Sequence, residues 1–162
     1  MSNAPTKEPE EFRDPLQNYH PKTHNDPLEK ALIDETVVAI HCTPVATVAP
    51  GTPVHAAVKT LAGLHVGCLL VAENGRLVGV FSDRDVLDRV ALEYDQVKDR
   101  PVSELMTTDP VYVYETDSAA AALSIMAVSG FRHVPVTNID QQVVGIVSPQ
   151  RVTEFLRKHV LD

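Results

Sequence analysis

Apolar and polar positions follow a helical period in the stretch that begins near residue 52. Three apolar residues recur there at helical spacing: Val54, Val58 and Leu61. This spacing predicts an amphipathic helix that ends near residue 64. We expect Thr52 as its N-cap and Pro53 as its first residue, because threonine accepts hydrogen bonds from the first turn and proline suits that position.

Short apolar runs on both sides of this helix predict three strands. One covers residues 45–48, and two longer runs cover residues 68–72 and 77–81. The two longer runs enclose Asn74-Gly75, and Asn-Gly between apolar runs is the strongest short-range signal of a β-hairpin. A second helix is predicted over residues 82–92.

The same order of elements recurs 66 residues later. Sliding the sequence against itself by 66 positions needs no gap, and the matches fall on turn, strand and cap positions: Pro44-Val45 on Pro110-Val111, Thr52 on Ser118, Val78 on Val144, Gly79 on Gly145, Ser82 on Ser148 and Val86 on Val152. The second copy predicts strands at 111–114, 134–137 and 143–147, and helices at 118–129 and 148–159. Self-similarity at a fixed period indicates a fold built from repeated units.

Each unit has the order β-α-β-β-α and is too small to bury enough apolar surface alone. We therefore expect an α/β (α+β) fold in which two βαββα repeats pack on each other about a pseudo-two-fold axis. The predicted divisions are an acidic, Pro-rich, flexible tail (1–25), a first motif with a leading helix (26–92) and a second motif (93–162).

The leading helix is predicted from Asp26-Pro27, with Asp26 as N-cap and Pro27 at the first helical position. Its apolar residues Leu28, Leu32 and Ile33 are expected on one face.

Composition narrows the function classes. The 162 residues carry a formal net charge of −8, with 44% hydrophobic and 5% aromatic residues. Nucleic-acid binding is not expected, since it needs a basic surface. Cys42 and Cys68 form no disulfide or zinc spacing, and Pro21 separates His20 from His24, so no metal site is expected. With no signal-peptide or membrane-spanning run, we expect a cytoplasmic protein.

Three segments resemble the CBS domain, the family named for cystathionine β-synthase. Residues 79–85 (Gly-Val-Phe-Ser-Asp-Arg-Asp) match its Gly-apolar-apolar-Ser/Thr-x-x-Asp ending. Residues 131–136 (Phe-Arg-His-Val-Pro-Val) resemble its entry into the middle strand, and residues 106–111 (Met-Thr-Thr-Asp-Pro-Val) its lead into the first strand. The similarity covers residues 36–160.

The resemblance implies a regulatory module that is not an enzyme. Members bind adenosine-type ligands (AMP, ADP, ATP or S-adenosylmethionine) in clefts between paired motifs, and a partner protein reads the bound state. Two pairs commonly join as a homodimer. The alternative is a ligand-free scaffold that acts in dimerisation and protein–protein interaction. We find no nucleophile elbow and no phosphate-cradling Gly-rich loop that would favour catalysis.

Ser82 and Asp85 admit two interpretations. A serine N-cap with an acid at N3 is a variant of the capping box, which is a structural role. The resemblance instead implies that Asp85 accepts hydrogen bonds from both ribose hydroxyls, which suits an acceptor-only carboxylate, and that Ser82 positions the phosphate side. Both roles can hold together. Arg84 is a further candidate, with a solvent-exposed surface arginine as the alternative.

The phosphates need positive charge, and the resemblance implies that it comes from the other repeat, at Arg132-His133. The alternative is an exposed arginine beside a histidine packed at the start of a strand. Base contacts are expected from the edges of the first and second strands: Thr43, Pro44, Val45, His65, Val66 and Gly67.

The second cleft departs from this pattern. Arg151 stands three residues after Ser148, where the first copy has Asp85, and Val66-Gly67 replaces Arg132-His133. Arginine cannot accept ribose hydrogen bonds. The second cleft is therefore expected to be empty or to bind an anion in a different way, and the sequence predicts one nucleotide per chain.

Overall fold

The computed structural model describes residue 23, residues 25–43 and residues 45–161. Within these residues the helices are α1 (Pro27–Asp34), α2 (Val54–Leu64), α3 (Asp83–Asp85), α4 (Tyr94–Val97), α5 (Ala119–Ser129) and α6 (Pro149–Val160). The strands are β1 (His41–Cys42), β2 (Thr47–Val48), β3 (Cys68–Glu73), β4 (Arg76–Ser82), β5 (Thr107–Thr108), β6 (Val113–Tyr114), β7 (Val134–Thr137) and β8 (Val143–Val147). The predicted tail, Pro44 and the His20/His24 pair lie outside the described residues, apart from Thr23 and Asn25 of the tail.

In the described part of the chain the strands form two four-stranded sheets, ordered β2-β3-β4-β5 and β1-β8-β7-β6. Each sheet is completed by a strand that precedes the other repeat in sequence. β5 pairs antiparallel with β4, and β1 pairs antiparallel with β8. This exchange of strands joins the two repeats, and the α+β tandem fold is confirmed.

Two glycines allow the exchanged strands to lie close to their sheets. A Cβ atom on Gly79 would meet the Met106 side chain and the Thr107 carbonyl oxygen, and one on Gly145 would meet the His41 ring. These glycines occupy equivalent positions in the two repeats, so the match found in the sequence has a packing cause.

The segments before each repeat also cross over in the two hydrophobic cores. Val97, Val102 and Leu105 belong to the core of the first repeat, whereas Ala31 and Val37 belong to the core of the second. Helix α1 contacts α5 and α6 of the second repeat. The domain limits proposed from the sequence stay a prediction.

The structure confirms Asp26 as the cap of α1, since its carboxylate accepts from the Leu28 and Glu29 backbone N–H groups. Leu28 and Leu32 pack against the second core. Ile33 was placed wrongly on this face, because its side chain is 46% exposed.

The predicted N-caps of α2 and α5 differ in outcome. Ser118 caps α5 through the Ala121 N–H, as predicted. The prediction of Thr52 as cap of α2 is wrong: the N-cap is Pro53, without a side-chain bond. The Arg100 carbonyl instead accepts from the Val54 N–H at 2.9 Å. A backbone carbonyl from the segment between the two repeats therefore takes the place of a capping side chain.

The hairpin predictions hold, and β7 and β8 have the predicted limits. Asn74 and Gly75 both have positive φ, 51° and 80°, as a type I′ turn requires. The first strands are shorter than predicted, at Thr47–Val48 and Val113–Tyr114.

The helix predicted over residues 82–92 is not a regular α-helix. It is the short α3 followed by a π-helical turn at Val86–Val90. The predicted helix at 148–159 is present as α6, Pro149–Val160.

Candidate functional site

Ser82 and Asp85 form a capping box at the end of β4. The Ser82 backbone N–H and hydroxyl both donate to Asp85 Oδ2, at 2.8 and 2.9 Å. The Asp85 N–H donates to the Ser82 hydroxyl oxygen at 3.4 Å. The structural interpretation of these two residues is therefore confirmed.

The other carboxylate oxygen of Asp85 contacts residues outside its own turn. Thr107 Oγ1 donates to Asp85 Oδ1 at 2.9 Å, and the Arg89 guanidinium lies 3.6 Å from the same oxygen. The Asp85 residue is only 5% exposed. These contacts hold the carboxylate in one orientation at the wall of a cavity.

We call this space the Asp85 cavity. It has a volume of about 170 Å³ and is lined by Cys68, Val80, Ser82, Asp83, Arg84, Asp85, Thr107, Gly130, Phe131, Arg132 and His133. Ser82, Arg84 and Asp85 come from the first repeat and Arg132-His133 from the second. The structure thus brings these five predicted residues to one groove between the repeats.

The predicted base-contact residues lie elsewhere. Val45, His65, Val66 and Gly67 line a neighbouring space of about 370 Å³, which we call the Ser148 cavity. Its other lining residues are Ala46, Cys68, Asp83, Arg132, His133, Ile146, Ser148, Pro149 and Gln150. Thr43 lines a third space, beside Gly75 at the turn of the β3–β4 hairpin. The structure does not bring these predicted residues to the Asp85 carboxylate.

The two cavities adjoin and are related by the internal repeat. They share the wall made by Cys68, Asp83, Arg132 and His133. Shifting by 66 residues takes residues 82–84 of one to residues 148–150 of the other. Arg151 is not among the lining residues and donates to Glu154 Oε2 at 2.9 Å.

Thr107, Phe131 and Asp83 line the Asp85 cavity but were not among the predicted site residues. Phe131 and Thr107 lie within segments that carry the family resemblance. That resemblance was the available signal, but a threonine in a two-residue strand has no periodic pattern of its own.

The shared wall contains a thiol that stays protonated. Burial is the main cause that raises the pKa of Cys68 to about 12, and the nearby charges of Asp85 and Asp83 raise it further. Because the thiolate is the nucleophile, Cys68 is an unreactive packing residue here.

His133 is held in its neutral form. Burial lowers its pKa below the usual 6.5, the Arg132 charge lowers it further, and the Asp83 carboxylate acts in the opposite direction. At neutral pH the imidazole therefore adds a hydrogen-bonding group but no charge to the wall.

His133 should make the protein less stable as the pH falls. With the folded pKa below 6.5, the unfolded chain binds the proton first, so stability is lost as pH drops through 6.5 towards the folded value. In thermal unfolding between pH 7.5 and 5.5, His133→Gln should lose less Tm than the wild type, by roughly 1–3 °C.

Two substitutions beside His133 should change the pH dependence of stability in opposite directions, and they control for general effects of pH. Arg132→Gln should make the dependence shallower, and Asp83→Asn should make it steeper, because these charges shift the His133 pKa in opposite directions. Equal slopes in all three variants and the wild type would exclude His133 as the cause.

Comparison with known proteins identifies the family. The CBS domain model matches residues 37–92 and 102–158, which is most of the chain. The chain therefore belongs to the CBS-domain family, as a pair of CBS repeats.

Relatives and solved structures agree with this assignment. The CBS domain-containing protein YhcV of Bacillus subtilis is 35% identical over 107 residues, covering 65% of this chain and 74% of that protein. CBSCBSPB1 of Arabidopsis thaliana is 34% identical over 104 residues, covering 64% of this chain. The match spans only 19% of that longer relative.

Among solved structures, CBSX2 in complex with AMP has a TM-score of 0.68 at 26% identity, covering 76% of this chain and 97% of that one. The CBS domain protein PAE2072 from Pyrobaculum aerophilum, complexed with AMP, has a TM-score of 0.68 at 24% identity, covering 78% and 99%. The second likeness supports the fold alone.

Among the residues that the structure describes, no helix is long and apolar enough to cross a membrane. No group of three or more His, Cys, Asp or Glu side chains among them is placed to hold a metal ion.

Proposed function

We propose that this chain is a regulatory CBS pair that binds an adenosine-type ligand in the Asp85 cavity and signals to a partner protein. The observation that carries this proposal is the shared groove. An anchored carboxylate from one repeat and a basic loop from the other line it together. A ligand in this groove contacts both repeats, so its binding energy depends on how the repeats are placed relative to each other.

The residues of the cavity suit the parts of a nucleotide. The Asp85 carboxylate accepts from the ribose hydroxyls, and Arg132 is a donor for a phosphate. The Ser82 hydroxyl can donate to the phosphate only after it releases Asp85 Oδ2. Arg84 adds a second guanidinium. Val80 and Phe131 supply an apolar wall for the base.

The remaining predicted contacts extend into the Ser148 cavity. Val45, His65, Val66 and Gly67 can touch the ligand only if it reaches across the shared wall of His133 and Asp83. His133 is part of this wall, and a phosphate beside it would favour the protonated ring. The ligand is AMP, ADP, ATP or S-adenosylmethionine in this proposal.

The comparisons support this ligand class. CBSX2, which is 26% identical to this chain, was solved with AMP. PAE2072 and MJ0100 are similar in fold alone, and were solved with AMP and with 5′-methylthioadenosine and S-adenosyl-L-methionine, respectively. We keep one nucleotide per chain in the proposal, because the Ser148 cavity has no carboxylate at the position of Asp85. Two equivalent sites per chain in isothermal titration would contradict it.

A homodimer is part of the same proposal. Several large apolar side chains of the helices and their neighbouring turns are exposed and can serve such an interface: Leu64, Leu87, Leu92 and Val128. Signalling then needs a partner that distinguishes the ligand-bound pair from the free one. No catalytic step is proposed.

One observation favours the alternative of a ligand-free scaffold. The Asp85 carboxylate already accepts hydrogen bonds from Ser82 and Thr107, so the protein satisfies it without a ribose. A scaffold would show no stabilisation by any adenosine derivative, which separates the two functions experimentally.

Thermal unfolding with and without AMP, ATP or S-adenosylmethionine tests the proposal. A ligand at 100 times its Kd stabilises the folded state by ~2.7 kcal/mol, and in a chain of this size that raises the Tm by roughly 5–10 °C. Asp85→Ala should remove most of this rise, because the ribose loses its acceptor.

Asp88→Ala is the matched control, since Asp88 is an exposed acid on the next turn. It should keep the full ligand-dependent rise. The proposal fails if no adenosine derivative stabilises the wild type. An unchanged rise in Tm in Asp85→Ala would show that Asp85 does not bind the ligand.

A further inference from the structure

The Asp85 carboxylate has little free capacity for a ligand. An ionised carboxylate offers about four acceptor positions on its two oxygens. Oδ2 accepts from the Ser82 N–H and hydroxyl, while Oδ1 accepts from Thr107 Oγ1 at 2.9 Å with Arg89 at 3.6 Å. A pair of ribose hydroxyls can bind only where one of these donors withdraws.

The donors are not equally free to leave. The Ser82 backbone N–H and hydroxyl both belong to the capping box, since the hydroxyl oxygen also accepts from the Asp85 N–H, and the loss of either would open the first turn of α3. Thr107 Oγ1 is a side-chain donor on β5, a strand outside that turn. A rotation about one side-chain bond removes this hydroxyl from Asp85 without breaking a helix cap. Thr107 and Asp85 both line the cavity, so a ligand hydroxyl approaches the same place.

The backbone that carries Thr107 is held independently of the hydroxyl. Arg89 donates through Nη1 to the Leu105 and Met106 carbonyl oxygens, at 3.0 and 2.7 Å. Thr107 itself pairs with Val80 between β5 and β4. The hydroxyl can therefore be removed while the strand stays in place.

The positions related to Thr107 and Asp85 by the internal repeat hold neither member of this contact. Shifting by 66 residues, His41 stands at the position of Thr107, and Arg151 stands at the position of Asp85. The His41 ring lies 3.2 Å from the Val37 carbonyl oxygen through Nδ1. The donor and its acceptor are thus present together in one cavity and absent together from the other.

We propose that the Thr107 hydroxyl competes with the ligand ribose for Asp85 Oδ1 and thereby sets the affinity of the Asp85 cavity. This inference rests on the proposed function, because it assumes that the ribose binds Asp85. Thr107 is a specificity-determining residue in this account. It lowers the affinity for every ligand that uses Asp85 and leaves the affinity for a ligand without ribose hydroxyls unchanged.

The test is isothermal titration of AMP and of 2′,3′-dideoxy-AMP into the full chain. Thr107→Val keeps the shape of the side chain and removes the donor. It should bind AMP about tenfold more tightly than the wild type, the fold-change expected for release of one hydrogen bond to a charged acceptor. The dideoxy compound should bind both proteins equally. Thr107→Ser restores the hydroxyl and should return the AMP affinity to the wild-type value.

Thr108→Val is the matched control, because Thr108 is the exposed neighbour on the same strand. If folded Thr107→Val binds AMP no more tightly than this control, the inference is overturned. The proposed function still stands in that case, provided that the wild type binds AMP and Asp85→Ala does not. Binding that appears only in Thr107→Val supports the inference. Absence of AMP binding in every variant overturns the inference and the proposed function together.

Discussion

Replacing Phe81 with alanine should lower the free energy of unfolding by about 3–5 kcal/mol, the usual cost of truncating a buried phenylalanine. Phe81 is fully buried on β4 and lies opposite Leu69 of β3 in the core of the first repeat. The truncation removes apolar contacts and leaves a cavity that the surrounding strands cannot fill. Denaturant unfolding at 25 °C measures the loss as a lower midpoint with an unchanged m-value.

Phe131→Ala is the control for the same chemical change. Phe131 lines the Asp85 cavity and is 41% exposed, so its truncation should cost less than about 1 kcal/mol. Similar losses of unfolding free energy in the two variants would show that the burial of Phe81 does not stabilise the core of the first repeat. The two variants also distinguish an effect on stability from an effect on ligand binding, because Phe131 belongs to the proposed base wall and Phe81 does not.

The parts of the fold that the sequence predicted well are those with local causes. Asn74-Gly75 specifies a type I′ turn through its own backbone preferences, and the structure has that turn. The strands at 134–137 and 143–147 are short, valine-rich runs and have the predicted limits. The internal repeat extended these local predictions to both halves of the chain.

The exchange between the repeats could not be predicted in the same way. β1 and β5 have two residues each, which is too short for an alternating pattern to show which sheet they join. Helix α1 has a recognisable apolar face, but a face does not identify the core that it covers. Only the three-dimensional packing shows α1 on the second repeat.

The candidate site, like the fold, was predicted only in part. The resemblance to the CBS family led to Asp85 and Arg132-His133, and the structure brings them to one groove. The base-contact residues were assigned by their nearness to the first and second strands of the first repeat, and those strand ends open into the Ser148 cavity. Thr107 was missed because its importance comes from strand exchange, which places it beside a carboxylate 22 residues earlier.

A substitution in helix α1 should have the second large effect on stability, because α1 packs against the second repeat. Ala31 is 6% exposed and belongs to the second core, where α1 contacts α5 and α6. Ala31→Asp would place an unpaired carboxylate among apolar side chains, and we expect it to lower the stability by several kcal/mol. Ile33→Asp introduces the same side chain two residues away on the exposed side of the helix, and should cost less than about 1 kcal/mol.

Ala31→Asp should destabilise the second repeat before the first. The backbone after α1 is hydrogen-bonded to the second repeat, with the Ala119 N–H donating to the Glu35 carbonyl oxygen at 2.8 Å and the Val37 N–H to that of Asp117 at 2.9 Å. Amide exchange in Ala31→Asp should therefore accelerate in β7 before β3, although α1 precedes the first repeat in sequence. Earlier loss of protection in β3 would mean that α1 supports the repeat it precedes. Equal loss in both sheets at every denaturant concentration would mean that the two repeats unfold as one cooperative unit, with α1 stabilising both through their exchanged strands.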